Sequence, residues 1–462
     1  MHRHSREEKR RAALQRKRRA KCQRRPRCGD FFGFRAAFEA LWPNHAPPAL
    51  PRRRGRRPRV ALKPLVTALV FHVMQRSGTL AEHFTLLFDD SLCDSACSDR
   101  RQRLPWQVFE EVMHWALRPL ARRRRQGDGF WRGWRLLALD GTQFSLCNTP
   151  QIQEAVTKTK TRRGRAAFGK IVTGVLLELG LHNPLAAAIG RQGESEWQLA
   201  GRLLARLPAR ALLLADRLHG CAAFAAETLA ACTRVGSHFL FRARSQIKVR
   251  TLRRFKDGSR LIEVPLREKG QPRHIARWLT LREIRVQVAR PGHRTQELQL
   301  WTSLVEPAQA PAGELARLYA QRWEHELYYR QLKRQLRKSE LLQSHTVATA
   351  AQEIAALVLA SAVLARERQR AAAGQAPVLR ISFMKILELI RPLWLVFALG
   401  PDLLSRDQKQ QLTERFLRHA RRFLVKPRRS RSCPRALRQP ISGWPRLLKN
   451  ESHEGPIHFQ IA

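Results

Sequence analysis

The spacing of hydrophobic residues changes along the chain and predicts helical segments on both sides of a mixed α/β middle. Between residues 60 and 120, apolar residues recur at helical spacing, with breaks near residues 77–78 and 89–99. This pattern predicts a bundle of three or four helices, with one short helix before it at residues 31–41. Helical spacing returns at residue 314 and continues, with interruptions, to residue 423.

The middle of the chain contains short apolar runs that are typical of strands. The runs occupy residues 136–139, 171–181, 184–189 and 211–215, with a helix expected at residues 194–207. Asp140 follows the first run and Asp216 follows the last. Side chains at strand ends of an α/β sheet project into a crevice where ligands bind. Two such strands lying side by side are therefore expected to bring the two carboxylates together.

Residues 247–302 alternate between apolar and polar side chains around Asp257-Gly258. Alternation of this kind predicts hairpins rather than helices. The fold class is therefore expected to be α/β, with a β-rich insertion in the core and helical segments flanking it.

Shifts in composition divide the chain into seven segments. They are a basic disordered arm (1–30), a helical DNA-binding domain (31–128), the first part of the core (129–246), the β-rich insertion (247–304), a core helix carrying an acid (305–345), a C-terminal helical region (346–425) and a basic tail (426–462). A second basic run, at residues 51–59, predicts a linker or a loop that reaches a DNA groove. For residues 31–128 two interpretations stay open: a helix-turn-helix that docks on DNA, or a bundle that packs on the next domain.

The net charge is the composition feature that most strongly indicates a binding partner. The 462 residues include 87 Lys and Arg against 37 Asp and Glu, so the formal charge is +50 and the pI about 11.7. A polyanion is the expected partner, although a GC-rich genome or solvated faces account for part of the arginine excess. The eight cysteines form no C-x-x-C pair and the apolar runs are short. A cytoplasmic protein with free thiols and no membrane span is expected.

Four residues near position 326 carry the most specific pattern. Tyr319, Arg322, Glu326 and Lys333 fall within an arc of roughly 60° on a continuous helix. One acid among cations suits a site that acts on phosphate, because the acid can hold a metal ion while the cations neutralise a nucleic-acid backbone. Glu324 is the alternative acid, but it lies about 160° from Glu326. An ordinary amphipathic surface helix is the competing interpretation.

Asp140, Asp216 and Glu326 are therefore the candidate catalytic residues and metal ligands. Three carboxylates suit Mg²⁺ or Mn²⁺, and two such ions would support an in-line displacement at phosphorus. Taken alone, each aspartate is also explained as a turn or cap residue. Among the basic residues between positions 158 and 170, Arg162, Arg163 and Lys170 are expected to contact DNA phosphates, unless this is only a solvated loop.

The chain resembles the DDE transposases of bacterial insertion sequences, in the branch marked by a Y-R-E-K signature. The signature is Tyr, two residues, Arg, three residues, Glu, six residues and Lys, a spacing that Tyr319 to Lys333 satisfies. Asp140-Gly141-Thr142 and Ala215-Asp216-Arg217 also resemble the family. The resemblance implies an RNase H-like catalytic core with a β-rich insertion between the second Asp and the Glu.

The resemblance also implies a function. It implies cut-and-paste movement: binding of terminal inverted repeats, metal-dependent cleavage at element ends and joining to target DNA, performed by a homodimer at the nucleoid. In the family, the Tyr, Arg and Lys contact DNA, and these roles transfer to Tyr319, Arg322 and Lys333. An insertion tryptophan stacks on a flipped base in relatives, so Trp301 and Trp278 are candidates, with a core aromatic as the alternative. The competing functions are a decayed transposase that only binds DNA, an RNase H-like nuclease without strand transfer, and an RNA-binding structural protein.

Overall fold

The computed structural model describes residues 32–42, 60–161, 164–191, 193–268, 270–290, 293–337, 339–426 and 458–461. The expected basic arm, the basic run at residues 51–59 and the DNA-contact candidates Arg162 and Arg163 lie outside the described residues.

Most helices lie within the segments predicted to be helical, whereas the helices Pro150–Ala155 and Ala222–Val235 were not predicted. In chain order the helices are α1 (Gly33–Glu39), α2 (Leu62–Met74), α3 (Leu80–Phe88), α4 (Asp94–Gln102), α5 (Gln107–Ala116), α6 (Pro150–Ala155), α7 (Glu196–Leu204), α8 (Ala222–Val235), α9 (Ala312–Tyr319), α10 (Trp323–Arg330), α11 (Val347–Ala372), α12 (Phe383–Leu399) and α13 (Arg406–Arg422). Capping boxes, in which the N-cap side chain and the third helical residue bond each other's backbone amides, start α3, α7, α11 and α13. These boxes satisfy amides that have no partner within the helix.

The strands are more numerous than the sequence predicted. They are β1 (Phe130–Trp131), β2 (Trp134–Ser145), β3 (Lys160–Thr161), β4 (Gly164–Arg165), β5 (Lys170–Glu178), β6 (Asn183–Ile189), β7 (Ala211–Ala215), β8 (His238–Arg242), β9 (Arg250–Arg254), β10 (Arg260–Glu268), β11 (Gln271–Arg290), β12 (His293–Thr302) and β13 (His458–Ile461).

One mixed sheet runs through the core and the insertion in the order β6-β5-β2-β7-β8-β12-β11-β10-β9. The central strands β2, β7 and β8 are parallel, whereas β5 pairs antiparallel with β2 and β6 pairs antiparallel with β5. The insertion is joined to the core because β12 pairs with β8, Trp301 facing Phe241. The β-rich insertion therefore extends the core sheet. Near the end of the basic tail, β13 pairs antiparallel with β11.

Alternate residues of the central strands face two different cores. Leu136 and Ala138 of β2 belong to one hydrophobic cluster, whereas Leu137 and Leu139 belong to the other. The first cluster also contains buried residues of α2 and α11, and the second contains those of α7 and α8. All five residues of β7 are buried, as expected for a parallel strand covered on both faces. The sheet is therefore sandwiched between two helical layers.

Helices from both ends of the chain form one of these layers. α11 packs against α2, α5, α12 and α13 as well as against β6. α11 is also long and apolar enough to cross a membrane, but 89% of its most apolar stretch is buried inside the protein. The N-terminal helices of the described region thus pack on the rest of the protein.

A buried carboxylate connects the N-terminal helices to the sheet. Glu178, at the end of β5, accepts hydrogen bonds from the amides of Leu120 at 2.8 Å and Ala121 at 3.2 Å. It also accepts from the side chain of Asn183 at 2.6 Å and pairs with Arg135. Buried backbone amides need such partners, so Glu178 fixes the segment that leads from α5 into β1.

Candidate active site

Asp140 and Asp216 are neighbours on adjacent parallel strands. Leu139 of β2 pairs with Ala215 of β7, so the next residue on each chain is one of the two acids. Asp216 follows the end of β7, as predicted. The prediction that Asp140 also ends its strand is wrong, because β2 continues to Ser145 by pairing with β5.

The segment carrying Glu326 is helical, but it is not one regular helix. α9 ends at Tyr319, a 3₁₀ turn spans Ala320–Arg322, α10 follows, and a π-helical turn spans Gln331–Leu336. The prediction of one continuous helix is therefore wrong in its geometry. π turns inside helices frequently occur at functional sites.

Arg322 forms ion pairs with Asp140 on β2 and with Glu326 on α10. Its Nη2 lies 2.9 Å from Oε1 of Glu326, and its Nη1 lies 3.6 Å from Oδ2 of Asp140. The Arg322 charge also lowers the pKa of Asp216. One guanidinium thus lies within electrostatic reach of all three predicted acids, and Glu326 rather than Glu324 is the acid it binds.

The two aspartates have opposite electrostatic environments. Burial raises the pKa of Asp140 to about 7, with further contributions from the negative charges of Asp216 and Glu196. Burial also opposes ionisation of Asp216, but hydrogen bonds from His219 and from the amide of Leu218 hold its pKa below the usual value. Ionisation is therefore disfavoured at Asp140 and favoured at Asp216.

Four residues that the sequence did not single out contact this site. They are His219, His325, Tyr329 and Glu196. The Nδ1 atom of His219 lies 3.1 Å from Oδ1 of Asp216. His325 and Tyr329 follow Arg322 and Glu326 at three residues' distance, which places them near the same helix face. No local pattern marks Glu196, because only the packing of α7 on the sheet brings it to Gly141.

Tyr319 and Trp301, two of the residues expected to contact DNA, are buried in the protein. Tyr319 is buried, and its hydroxyl donates to the main-chain carbonyl of Ala215 at 3.2 Å. Trp301 is fully buried in β12, where the apolar core of the sheet encloses its ring. Trp278 is only partly buried and stacks with Arg250, whose guanidinium lies 4.0 Å from the ring centre. The burial of Tyr319 and Trp301 is a feature that the sequence did not show.

Lys333 lies on the side of the site that faces the end of β2. Its Nζ lies 5.3 Å from the centre of the Phe144 ring. Burial lowers the pKa of Lys333, and the positive charges of Arg337 and Lys170 lower it further. Lys170 is exposed at the start of β5, opposite Ser145. Several cations therefore gather here, in an arrangement suited to a polyanion.

The acids are compatible with a hard divalent cation. Among the described residues, no three His, Cys, Asp or Glu side chains already surround a metal position, since Arg322 occupies the space between Asp140 and Glu326. Carboxylate oxygens are nevertheless the donors that Mg²⁺ and Mn²⁺ prefer. Burial and the nearby charges of Asp216 and Glu196 disfavour ionisation of Asp140, and a divalent cation would favour its charged form.

Comparison with known proteins matches the part of the chain that contains these acids. The family model described as "Transposase DDE domain" matches residues 131–363, just over half of the chain. The transposase InsG for insertion sequence element IS4, from Escherichia coli (strain K12), is 28% identical over 234 residues, which are 50% of this chain and 51% of InsG. The putative transposase InsZ, also from Escherichia coli (strain K12), is 32% identical over 132 residues, which are 28% of this chain and 42% of InsZ.

The chain thus spans about half the length of these relatives or less. A solved structure, that of a piggyBac transposase synaptic complex with hairpin DNA, is similar with a TM-score of 0.42 and 10% identity over 85% of this chain and 86% of that one. Since the family model spans all three acids, the chain belongs to the transposase DDE domain family.

Proposed function

We propose that the protein is the transposase of an insertion sequence, which binds the terminal inverted repeats, cuts DNA at the element ends and joins them to target DNA. The observation that carries the proposal is the parallel pairing of β2 and β7. This pairing places Asp140 beside Asp216, and Arg322 links Asp140 to Glu326. An RNase H-like core, with the insertion extending its sheet, is part of this proposal.

Asp140, Asp216 and Glu326 would hold the cations. Two divalent ions, Mg²⁺ or Mn²⁺, would activate the attacking water or 3′-hydroxyl and stabilise the leaving oxygen. Hydrogen bonds within the protein hold the site rigid. Tyr319 binds the carbonyl before Asp216 and Tyr329 binds the carbonyl of Asp140, so both strands are attached to the segment that carries Glu326. Preorganisation of this kind is a major source of catalytic power.

Arg322 changes its role when cations bind. Without them, its guanidinium compensates Asp140 and Glu326. A cation that takes over those carboxylates would release the guanidinium for a phosphate, which it can bind through two parallel hydrogen bonds. Lys333 and Lys170 extend the positive surface toward the start of β5 and would bind the DNA backbone at points beyond the scissile bond.

The experiment is cleavage of DNA that carries the ends flanking the protein's own gene, with Mg²⁺ or with EDTA, on a denaturing gel. Metal-dependent cuts at the ends, lost in Asp216→Asn and kept in the exposed Asp402→Asn control, are the expected result. Tight binding without cutting would favour the decayed, DNA-holding alternative. Cuts without joined products, in a reaction that includes target DNA, would favour a nuclease.

Light scattering of the protein with end DNA tests the proposed homodimer.

A further inference from the structure

The side chain of Glu196 lies directly over the backbone of Gly141, the residue after Asp140. A Cβ atom at position 141 would lie 2.3 Å from Cδ and 2.4 Å from Cγ of Glu196. These separations are far below any real carbon contact, so no other residue fits there while Glu196 keeps its position. The φ angle of Gly141 is not positive. The glycine is therefore needed for the close approach of Glu196.

A second glycine allows the same helix to lie close to the sheet. Gly174 of β5 pairs with Gly141 of β2. A Cβ atom at position 174 would lie 3.1 Å from Cδ1 of Leu203 and 3.4 Å from Cβ of Leu199, both on α7. Two facing glycines thus form a depression in the sheet that receives α7. This packing brings the start of the helix, and with it Glu196, beside the catalytic strand.

Glu196 and Asp140 share one hydrogen-bond donor. The amide of Gly141 lies 2.9 Å from Oε1 of Glu196 and also 2.9 Å from Oδ1 of Asp140. A single N–H cannot compensate two carboxylates fully, because each ionised carboxylate can accept several hydrogen bonds. Two acids from different elements therefore converge on one point of the backbone.

The position of Glu196 is fixed by the start of its helix. Ser195 caps α7 through a reciprocal pair of bonds with Gln198, and Glu196 is the first helical residue. On the helix, Leu199 and Leu203 are buried against the sheet. The carboxylate is therefore held beside Asp140 by the same packing that holds α7.

An unpartnered polar atom lies on another side of Asp140. Nε2 of the fully buried His325 lies 3.1 Å from the carbonyl oxygen of Val175 and must donate to it, so Nδ1 is an acceptor. That Nδ1 has no hydrogen-bond partner among the described residues and lies 3.9 Å from Oδ2 of Asp140. A buried acceptor beside a carboxylate is suited to a donor such as a water molecule bound to a cation.

We propose that Glu196 is a fourth acid of the active site and helps Asp140 to bind a divalent cation. The inference rests on the proposed function, because it assigns a residue to the same cation site. One oxygen of Glu196 accepts from Gly141, and the carboxylate keeps lone pairs for a cation or its water. Mg²⁺ and Mn²⁺ retain several waters in protein sites, so Glu196 can act by direct contact or through one of these waters.

The test is the affinity of the full chain for Mn²⁺, measured by titration calorimetry without DNA. Glu196→Gln keeps an oxygen for the Gly141 amide but removes the charge. Changes to groups that support a metal site typically cost about 10–100-fold in affinity, and a loss in that range is expected. Glu111→Gln, which changes an exposed acid on α5, is the matched control and should bind Mn²⁺ like the wild type. Asp140→Asn and Asp216→Asn are the reference variants.

Gly141→Ala is an independent test of the proposal because it retains every acid of the site. The added Cβ displaces Glu196, so Mn²⁺ affinity should fall as it does in Glu196→Gln. Combining Gly141→Ala with Glu196→Ala removes the clash and should cause no further loss of affinity. Circular dichroism and the melting temperature of each variant identify any that fails to fold, and Glu196→Gln then decides the question.

The outcomes separate the two proposals. If Glu196→Gln binds Mn²⁺ as tightly as the wild type while Asp140→Asn does not, the inference about Glu196 is overturned and the proposed function stands. If Asp140→Asn and Asp216→Asn both bind Mn²⁺ like the wild type, the cation site itself is wrong and the proposed function fails with it.

Discussion

The hydroxyl of Tyr329 donates to the main-chain carbonyl of Asp140 at 2.7 Å. This bond joins the helix that carries Glu326 to the strand that carries Asp140. The tyrosine is buried and the bond is partly shielded from water, which limits replacement of the bond by solvent. The distance between the two acid-bearing elements therefore depends on the tyrosine.

Tyr329→Phe should lower both stability and cleavage. Loss of one buried hydrogen bond costs about 1–2 kcal/mol, measurable by urea unfolding. Cleavage should fall further than stability explains, because Asp140 is no longer attached to the helix. Tyr328→Phe is the matched control: it removes a buried 3.0 Å bond to Ser361 on the same helix but away from the acids. Equal cleavage by the two variants would contradict the assigned role.

Asp140→Asn should stabilise the protein at alkaline pH in EDTA. The pKa of Asp140 rises from its ordinary 3.8 to about 7 in the folded protein, mainly through burial, so the folded state binds this proton more tightly than the unfolded state. The wild type therefore loses stability as pH rises from about 4 through 7. The variant avoids that loss, and its advantage in melting temperature should grow from pH 5 to pH 8.

The gain at pH 8 should be several degrees, since 1 kcal/mol corresponds to about 2–4 °C in domains of 150–250 residues. Saturating Mn²⁺ should raise the melting temperature of the wild type more than that of Asp140→Asn. An advantage that is equal at pH 5 and pH 8 would rule out the buried charge as its cause. Asp402→Asn, at an exposed position, is the control.

The two acids of α10 should behave differently when each is changed to glutamine. Glu326 is 39% exposed at its side chain and pairs with Arg322, so Glu326→Gln should abolish cleavage with a change in stability below about 1 kcal/mol. Glu324 lies 2.8 Å from Nε2 of the buried His182. Glu324→Gln should instead lower stability by about 1 kcal/mol and leave cleavage measurable. The opposite pattern would identify Glu324 as the catalytic acid.

Glu178→Gln should be among the most destabilising single changes in the protein. The carboxylate is 1% exposed and pairs with Arg135, and removing one partner of a buried ion pair costs about 3–5 kcal/mol. Denaturant unfolding measures this loss, with Glu111→Gln as an exposed control. A loss of stability no larger than that of the control would show that the hydrogen bonds donated by the Leu120 and Ala121 amides do not depend on the charge of Glu178.

Lys333→Ala should weaken DNA binding in a salt-dependent way. Each phosphate neutralised by the protein contributes about 0.9 to the slope of log K against log salt on duplex DNA. The variant should therefore show a slope smaller by about that amount in fluorescence anisotropy titrations. Lys409→Ala changes a lysine on α13 whose Nζ donates to the carbonyl of Pro401, and its slope should match the wild type. An unchanged slope for Lys333→Ala would remove this residue from the DNA contact.

Much of the local structure was predictable because it depends on short-range patterns. The apolar run that forms β7 identifies the strand without tertiary information, since burial on both faces of a strand favours a continuous apolar run. The apolar residues of α11 recur at helical spacing and identify the helix in the same way. The geometry around Glu326 was less predictable. A 3₁₀ turn and a π-helical turn flank α10, and the apolar spacing of the sequence does not reveal either of them.

The sequence by itself determined the order of the acids, the strand that precedes Asp216, and a motif in which Arg322 and Glu326 lie one turn apart. Only the tertiary structure decided that β2 continues beyond Asp140, that Trp301 is buried and that Glu196 lies on Gly141. The physical reason is how far apart in the chain the interacting residues lie. Spacing along a strand or helix is set by bonds between near neighbours, whereas burial and the approach of α7 to the sheet depend on contacts between residues far apart in the chain.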